Sequence, residues 1–199
     1  MTAAPEDAPA EVLISVDVET AGPSPSGHAL LSIGACVVDD PASGFYVELR
    51  PDRDAVVPEA IAVSGLSIDD LVRTGADPAD AMARFAAWID EMTPGGRVPL
   101  FVGFNAGFDW MFVADYFQRY LGRNPFGHSS FDIKSFAMGL TGRSWRDASL
   151  RRLAPLFLSG RELSHNALED ARDQAELLRA MRARAGEGTH DDSGGPAGR

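Results

Sequence analysis

Two carboxylates stand two residues apart in "ISVDVETAG", residues 14–22: Asp17 and Glu19. Their neighbours are strand formers, and in a strand residues i and i+2 point to one face. Asp17 and Glu19 therefore project side by side, with Val16 and Val18 turned the other way. Like charges so placed repel and resist ionisation. A further acid, Asp109, lies in "VGFNAGFDW", within the first turn or so of a helix, where the macrodipole favours negative charge. The third group is "SHNALEDARDQAELL", with His165, Glu169, Asp170 and Asp173. Asp170 adjoins Ala171 on the apolar stripe of that helix and can point inward, and Asp173 lies one turn on. His165 and Asp170 are about 140° apart around an ideal helix. They can share a site only if His165 sits in the loop before it.

Each feature has an ordinary explanation when met alone. A D-x-E pair often marks an exposed edge, an early acid complements a helix dipole, and a His before a helix is commonly structural. Trp110, Phe112, Tyr116 and Phe117 read as core. Together, clustered carboxylates with one His are what hard, oxygen-seeking cations require. Two such cations remove the repulsion between Asp17 and Glu19. They also suit phosphate-ester hydrolysis, where both the attacking and the leaving oxygen need stabilising.

The elements that must position these residues follow from the apolar pattern. "EVLISVDVE" is a first strand, "ALLSIGACVVDD" a second and "GFYVELRP" a third, spaced closely enough for an antiparallel meander. Within residues 57–92, Pro78 stands at a helix start, where its missing N–H costs nothing, and Phe85, Ile89 and Met92 recur at helical spacing with Trp88 beside them. "RVPLFVGFN" is a fourth strand. "AGFDWMFVADYFQRYLG" is a helix, capped by Asn105 and stopped at Gly122. "HSSFDI" is a short fifth strand, with helices around 133–140 and 146–157 after it. A long helix begins near Asn166, with Leu168, Ala171, Ala175 and Leu178 as its inward stripe. The order predicts an α/β fold, a mixed sheet covered by helices. Residues 1–10 and 186–199 read as disordered tails around a domain at 11–185.

The composition fits a globular domain: 45% of residues are hydrophobic and 24% charged, both ordinary values. No apolar run approaches the roughly 20 residues that span a bilayer, and the acidic start lacks the features of a signal peptide. The single Cys36 lies in an apolar run and reads as a buried thiol, which excludes a disulfide framework. A cytoplasmic location is the expectation. The net charge of −11 argues against nucleic-acid binding. The charge is uneven, however: Arg119, Arg123, Lys134, Arg143, Arg146, Arg151, Arg152 and Arg161 lie in one stretch with only Asp132 and Asp147, giving it +6. Such a stretch is either a footprint for phosphates or a set of solvated helix faces.

The three acid groups resemble the motifs of the DEDDh family of 3′–5′ exonucleases. "VDVETAG" is similar to the family's D-x-E-[TM]-[TAS]-G, "FVGFNAGFDWMFV" to its G-x-N-x-x-F-D pattern and "HNALEDARDQAELL" to its H-x(4)-D, in the same order. The resemblance spans roughly residues 11–182. It implies a ribonuclease H-like fold with a five-stranded mixed sheet flanked by helices. Where the family often has His-Gly this chain has Ser64–Gly65, and where it often has Glu or Gln on the second strand this chain has Ser32.

The resemblance also implies roles. Asp17 would bridge two divalent cations, Mg2+ or Mn2+, with Glu19 and Asp170 on the first and Asp109 anchoring the second. His165 would be the general base, its ordinary pKa of roughly 6.5 suiting that task. The substrate would be the 3′ end of single-stranded DNA or RNA, releasing nucleoside 5′-monophosphates. Thr20, Ala21, Gly22, Phe104, Asn105 and Phe108 would line the terminal nucleotide, with Phe104 or Phe108 stacking on a base. Ala21 is shared with RNase T-like members and points to a stand-alone trimming enzyme. Many of these are dimers, so a homodimer is a further expectation. The alternative is a non-catalytic nucleic-acid-binding module of the same fold. An aspartyl-phosphate phosphatase fits poorly, since Glu19 stands where its second Asp belongs, and a two-carboxylate glycosidase leaves His165 unused.

Overall fold

The computed structural model describes residues 10–158 and 166–188. Five strands form one mixed sheet in the order β3-β2-β1-β4-β5. β1 (Glu11–Thr20), β2 (Leu30–Val37) and β3 (Asp40–Glu48) make the antiparallel meander. β4 (Val98–Gly103) then returns parallel to β1, and β5 (Ser130–Asp132) parallel to β4. This is the five-stranded sheet flanked by helices that the sequence predicts.

Alternation along β1 divides the core. Ile14, Val16 and Val18 face a cluster built with α3 (Pro78–Met92) and α4 (Gly107–Leu121). Phe45, Phe85 and Phe117 stack through it, with ring centroids 4.9 and 5.5 Å apart. The opposite face of the sheet carries α5 (Ile133–Thr141), α6 (Leu150–Phe157) and α7 (Ala167–Gly188) around Cys36, Val102, Leu153 and Leu178. Cys36 is fully buried as expected, and burial pushes its thiol up to about 12. A third small cluster joins Ala21, Ala29 and Leu31 to Leu71 of α2 (Ile68–Thr74), with Ile61 of α1 (Pro58–Ser64) beside it. Among the described residues no helix is long and apolar enough to cross a membrane.

A helix does start at Pro78, and two shorter ones precede it, ending at Gly65 and Gly75. Two local expectations change. α6 starts at Leu150 rather than 146. In α7 the stripe facing the sheet is Ala167, Ala171, Ala175 and Leu178, with Leu168 only half-buried.

Candidate active site

The site lies at the carboxyl end of β1. Asp17 is paired across the ladder with Gly34 and Glu19 with Ser32, so both carboxylates rise on the face covered by α7. Gly34 lets α7 come down there. A Cβ on Gly34 would overlap the backbone of Ala167 and Leu168, so the first turn of α7 rests on β2 itself. Asn166 starts that turn, its Oδ1 accepting from Leu168 N at 3.1 Å and Glu169 N at 3.3 Å. Asp170 is one turn in, and one oxygen each from Asp17, Glu19 and Asp170 lies within 4.8 Å of the others.

Asp109 arrives from the other side of the strand. The parallel pairing of β1 with β4 ends at Ser15–Val102, which leaves the β1 backbone beyond it without a strand partner on that edge. Asp109 Oδ1 fills the gap by accepting from Val18 N at 3.2 Å. The turn that brings it there differs from expectation. Asn105 does not cap α4: it has φ +61°, a left-handed residue that redirects the chain, and α4 has no side-chain cap bond at its start. Asp132 at the end of β5 does the stabilising instead, with Oδ2 accepting from Ala106 N at 2.8 Å and Oδ1 from Ser135 N at 2.7 Å.

Asp17, Glu19 and Asp109, so close to one another and to Asp170, resist ionisation. Burial, then Asp109, Asp170 and Glu19, hold Asp17 well above the usual range. Burial followed by Asp170 raises Glu19 to about 7. Burial raises Asp109 to about 7 against the relief of backbone N–H donors. Asp17, Glu19 and Asp109 make no ion pair with any described residue. The relief Asp17 does receive comes from Gln174, a residue with no obvious role in the sequence. This buried side chain (3% exposed) donates from Nε2 to Asp17 Oδ1 at 2.7 Å and accepts from Phe104 N at 2.9 Å through Oε1. An oxygen-rich donor set, in which no described Lys or Arg pairs with Asp17, Glu19 or Asp109, fits divalent cations of the Mg2+ or Mn2+ type.

With this geometry the sequence matches the family described as Exonuclease (RNase_T) over residues 14–178. The chain belongs to this exonuclease family. It is an enzyme, a 3′–5′ exonuclease that hydrolyses phosphodiester bonds, which sets aside the non-catalytic alternative. It is 45% identical over 171 residues to a protein of Escherichia coli named 3′-5′ DNA exonuclease Cap18, covering 86% of this chain and 91% of the relative. Its fold is similar to E. coli exonuclease I, solved with a dT13 oligonucleotide (TM-score 0.69, 17% identity, 89% of this chain and 43% of that one). The exonuclease thus spans less than half the length of exonuclease I. It is also similar to the nuclease domain of 3′hExo, a DEDDh family member bound to rAMP (TM-score 0.69, 15% identity, 86% and 92%).

The remaining predicted residues divide. Asp17, Glu19, Asp109 and Asp170 come together, and His165 lies outside the described residues. Glu169 turns away to pair with Arg172 at 2.6 Å, and Asp173 is buried but is not one of the Asp17, Glu19 and Asp170 group. Ala21 is fully buried. Its methyl group is in the third cluster, its N–H donates to Ala29 O and its carbonyl accepts from Val57 N, both at 2.8 Å. Thr20 is buried and donates to Gly22 O at 2.9 Å. At Gly22 a Cβ would strike the His28 ring. Phe104 and Phe108 are half-buried at the edges of the two large clusters, while Asn105 is exposed at the turn between them. Gln174, Gly34 and Asp132 were not singled out by spacing. The one sequence signal available was Gly34, since an isolated Gly within a strand often marks a close backbone approach.

Proposed function

We propose that this exonuclease shortens single-stranded DNA from its 3′ end, releasing nucleoside 5′-monophosphates, with two divalent cations, Mg2+ or Mn2+, held by its four acids. The observation that carries the reading is the convergence of Asp17, Glu19 and Asp170 within 4.8 Å, with Asp109 pinned beside them to Val18 N. DNA is favoured over RNA by the 45% identical relative named a DNA exonuclease.

Asp17, at the centre, would touch both ions, Glu19 and Asp170 the first, and Asp109 the second. Bound ions of this kind make water more acidic and offset the charge that builds on the attacking and leaving oxygens. The chain's own contribution is positional. Gln174 fixes the Asp17 carboxylate, the amide of Val18 fixes Asp109, and α7 resting on Gly34 sets Asp170. His165, just ahead of α7, would accept the proton from the attacking water. Phe104, Asn105 and Phe108 border the same end of the sheet and would meet the terminal nucleotide, with backbone at Thr20 and Gly22.

The test offers 5′-labelled single-stranded DNA and RNA of equal sequence to the protein with Mn2+, with and without chelator. A ladder shortening from the 3′ end of DNA, abolished by chelator and by Asp17→Ala, is expected. Shortening of RNA at the same or a greater rate overturns the DNA assignment. Sedimentation of the same preparation checks the homodimer.

A further inference from the structure

The described basic residues of the 119–161 stretch do not share one surface. Arg119 is held by Asp52 and Asp115 at 2.7 Å each, Arg123 by Asp90 at 3.4 Å, and Arg152 by Asp147. Lys134, Arg143 and Arg146 have no ion pair with a described residue. Arg151 is likewise without one, but Lys134, Arg143 and Arg146 are the three that lie next to Trp145 in space or in sequence, with Asp147 as the acid beside them.

That place adjoins the active site. Asp132 ends β5, holds the turn into α4 through Ala106 N, and is close enough to Asp109 to raise its pKa. Lys134 is the second residue of α5, directly after it. The chain following α5 doubles back, bringing the Trp145 ring under Lys134 Nζ at 3.7 Å from its centroid. Trp145 and Arg146 are the two central residues of a turn closed by Asp147 N to Ser144 O at 3.0 Å. Ser144 Oγ donates to Asp147 Oδ2 at 2.7 Å, and buried Ala148 anchors the turn. Trp145 remains 47% exposed, the one aromatic residue among the large hydrophobic side chains so open to solvent in the described structure. An indole open to solvent beside a cation offers a flat face on which another ring can stack. Lys134 lies against this ring, Arg146 follows it in the chain, and the ring sits on a stiffened turn.

We propose that Trp145, with Lys134, Arg143 and Arg146 around it, is a stacking platform for nucleotides 5′ of the one being removed. This rests on the 3′–5′ exonuclease reading. A base would lie on the indole and the adjoining phosphates would meet the three cations. Such contact is sequence-tolerant because every base has a π-face. It also gives a polyanion a way onto a protein of net charge −11, with the strand approaching over the basic corner.

The test measures binding of 5′-fluorescein dT12 and dT3 by the full chain in chelator, where no cleavage occurs, followed by cleavage of both with Mn2+. Trp145→Ala should weaken dT12 binding on the order of tenfold and lower the dT12-to-dT3 preference in kcat/KM, with Trp145→Phe recovering most of the loss. Arg146→Ala should flatten the slope of log affinity against log salt by about 0.7, one phosphate contact on a single strand. Arg84→Ala, on α3 across the sheet, should change neither. The platform is overturned if Trp145→Ala binds dT12 within twofold of wild type, or if Arg146→Ala keeps the full salt slope. The second measurement stands even if Trp145→Ala folds poorly. Wild-type protein that binds dT12 and shortens it while both variants behave like it condemns the platform alone. Failure of the wild type to shorten dT12 at all overturns the exonuclease reading and the platform with it.

Discussion

Replacing Asp109 by Asn should stabilise the metal-free enzyme while destroying its activity. The ionised Asp109 is costly in the folded protein because burial raises it from 3.8 to about 7. At about 1.4 kcal/mol per unit, ionising it at pH 8 costs the folded state about 4 kcal/mol relative to the unfolded chain. Asn is never charged, and its Oδ1 keeps the bond from Val18 N. Burying the new amide group returns about 2 kcal/mol of that. The net gain is about 2 kcal/mol, or about 4–8 °C in Tm for a chain of this size. The sign with pH follows from a raised pKa: the contribution of Asp109 to stability is whole below pH 3.8 and lost as pH rises through about 7. The gap between the Asp109→Asn variant and wild type should therefore be wide at pH 8 and closed by pH 5. The assay is thermal melting in chelator at both pH values, repeated with Mn2+, which should raise the wild type more than the variant. Activity should fall beyond the roughly 10–100-fold that loss of an outer partner of a metal ligand costs. A variant that melts at or below wild type at pH 8 in chelator would refute the claim that this carboxylate is held at an energetic cost.

Gln174→Leu should lower Mn2+ affinity by about 10–100-fold, measured by titration into metal-free protein, because it frees the Asp17 carboxylate and strands Phe104 N. Gln174→Glu should be worse, since it keeps the bond to Phe104 but adds repulsion at Asp17. Gly34→Val should lift the first turn of α7 off β2, costing about 1–3 kcal/mol. It should also raise hydrogen exchange there and weaken Mn2+ binding by displacing Asp170. Asp52→Asn should behave oppositely to Asp109→Asn with pH. Burial raises Asp52, but bonds from Tyr116, Arg119 and Tyr120 more than reverse this and leave it below its usual value. Its stabilisation is present above the unfolded value and lost as pH falls through the folded one. The variant should therefore lose on the order of 2 kcal/mol at pH 7 and match wild type in strong acid, as read by Tm against pH.

The part of the site legible in the sequence is the part that depends on local period. Asp17 and Glu19 share a face because strands repeat every two residues, and Asp170 points inward because Ala171 and Ala175 mark the buried stripe. Asn105 shows where local pattern misleads. A polar residue ahead of an apolar helix looks like a cap, but its left-handed backbone turns the chain, and the stabilising carboxylate is Asp132, from another strand. Gln174 was equally hidden, because its two partners, Asp17 and Phe104, are remote in sequence. The burial of Ala21 was hidden as well: it follows Glu19, and the register irregularity between Glu19 and Thr20 coincides with its turning into the α2 cluster. The basic stretch was visible as charge but not as surface. Only the ion pairs of Arg119, Arg123 and Arg152 separate its neutralised members from the corner around Trp145.

The acidity of this centre is written into an incompleteness of the sheet. Had β4 continued beside β1 past Ser15, a strand neighbour could have met the amide of Val18 and left Asp109 no backbone donor to hold. Instead β4 ends at Gly103, the chain turns at Asn105, and α4 delivers a carboxylate to an amide that otherwise would be buried without a partner, at a cost of about 1–3 kcal/mol. Satisfying that amide accounts for where Asp109 sits, but not for why an acid is there, since Asn would satisfy it as well and without repulsion. The same holds on the other side of β1, where Gln174 relieves Asp17 by one hydrogen bond and leaves its charge in place. Backbone and side-chain needs therefore fix the positions of these groups, whereas their charge opposes folding. A surplus of negative charge kept at fixed positions against the interest of stability is what cation binding requires, and it is the reason neutral isosteres should separate the two properties.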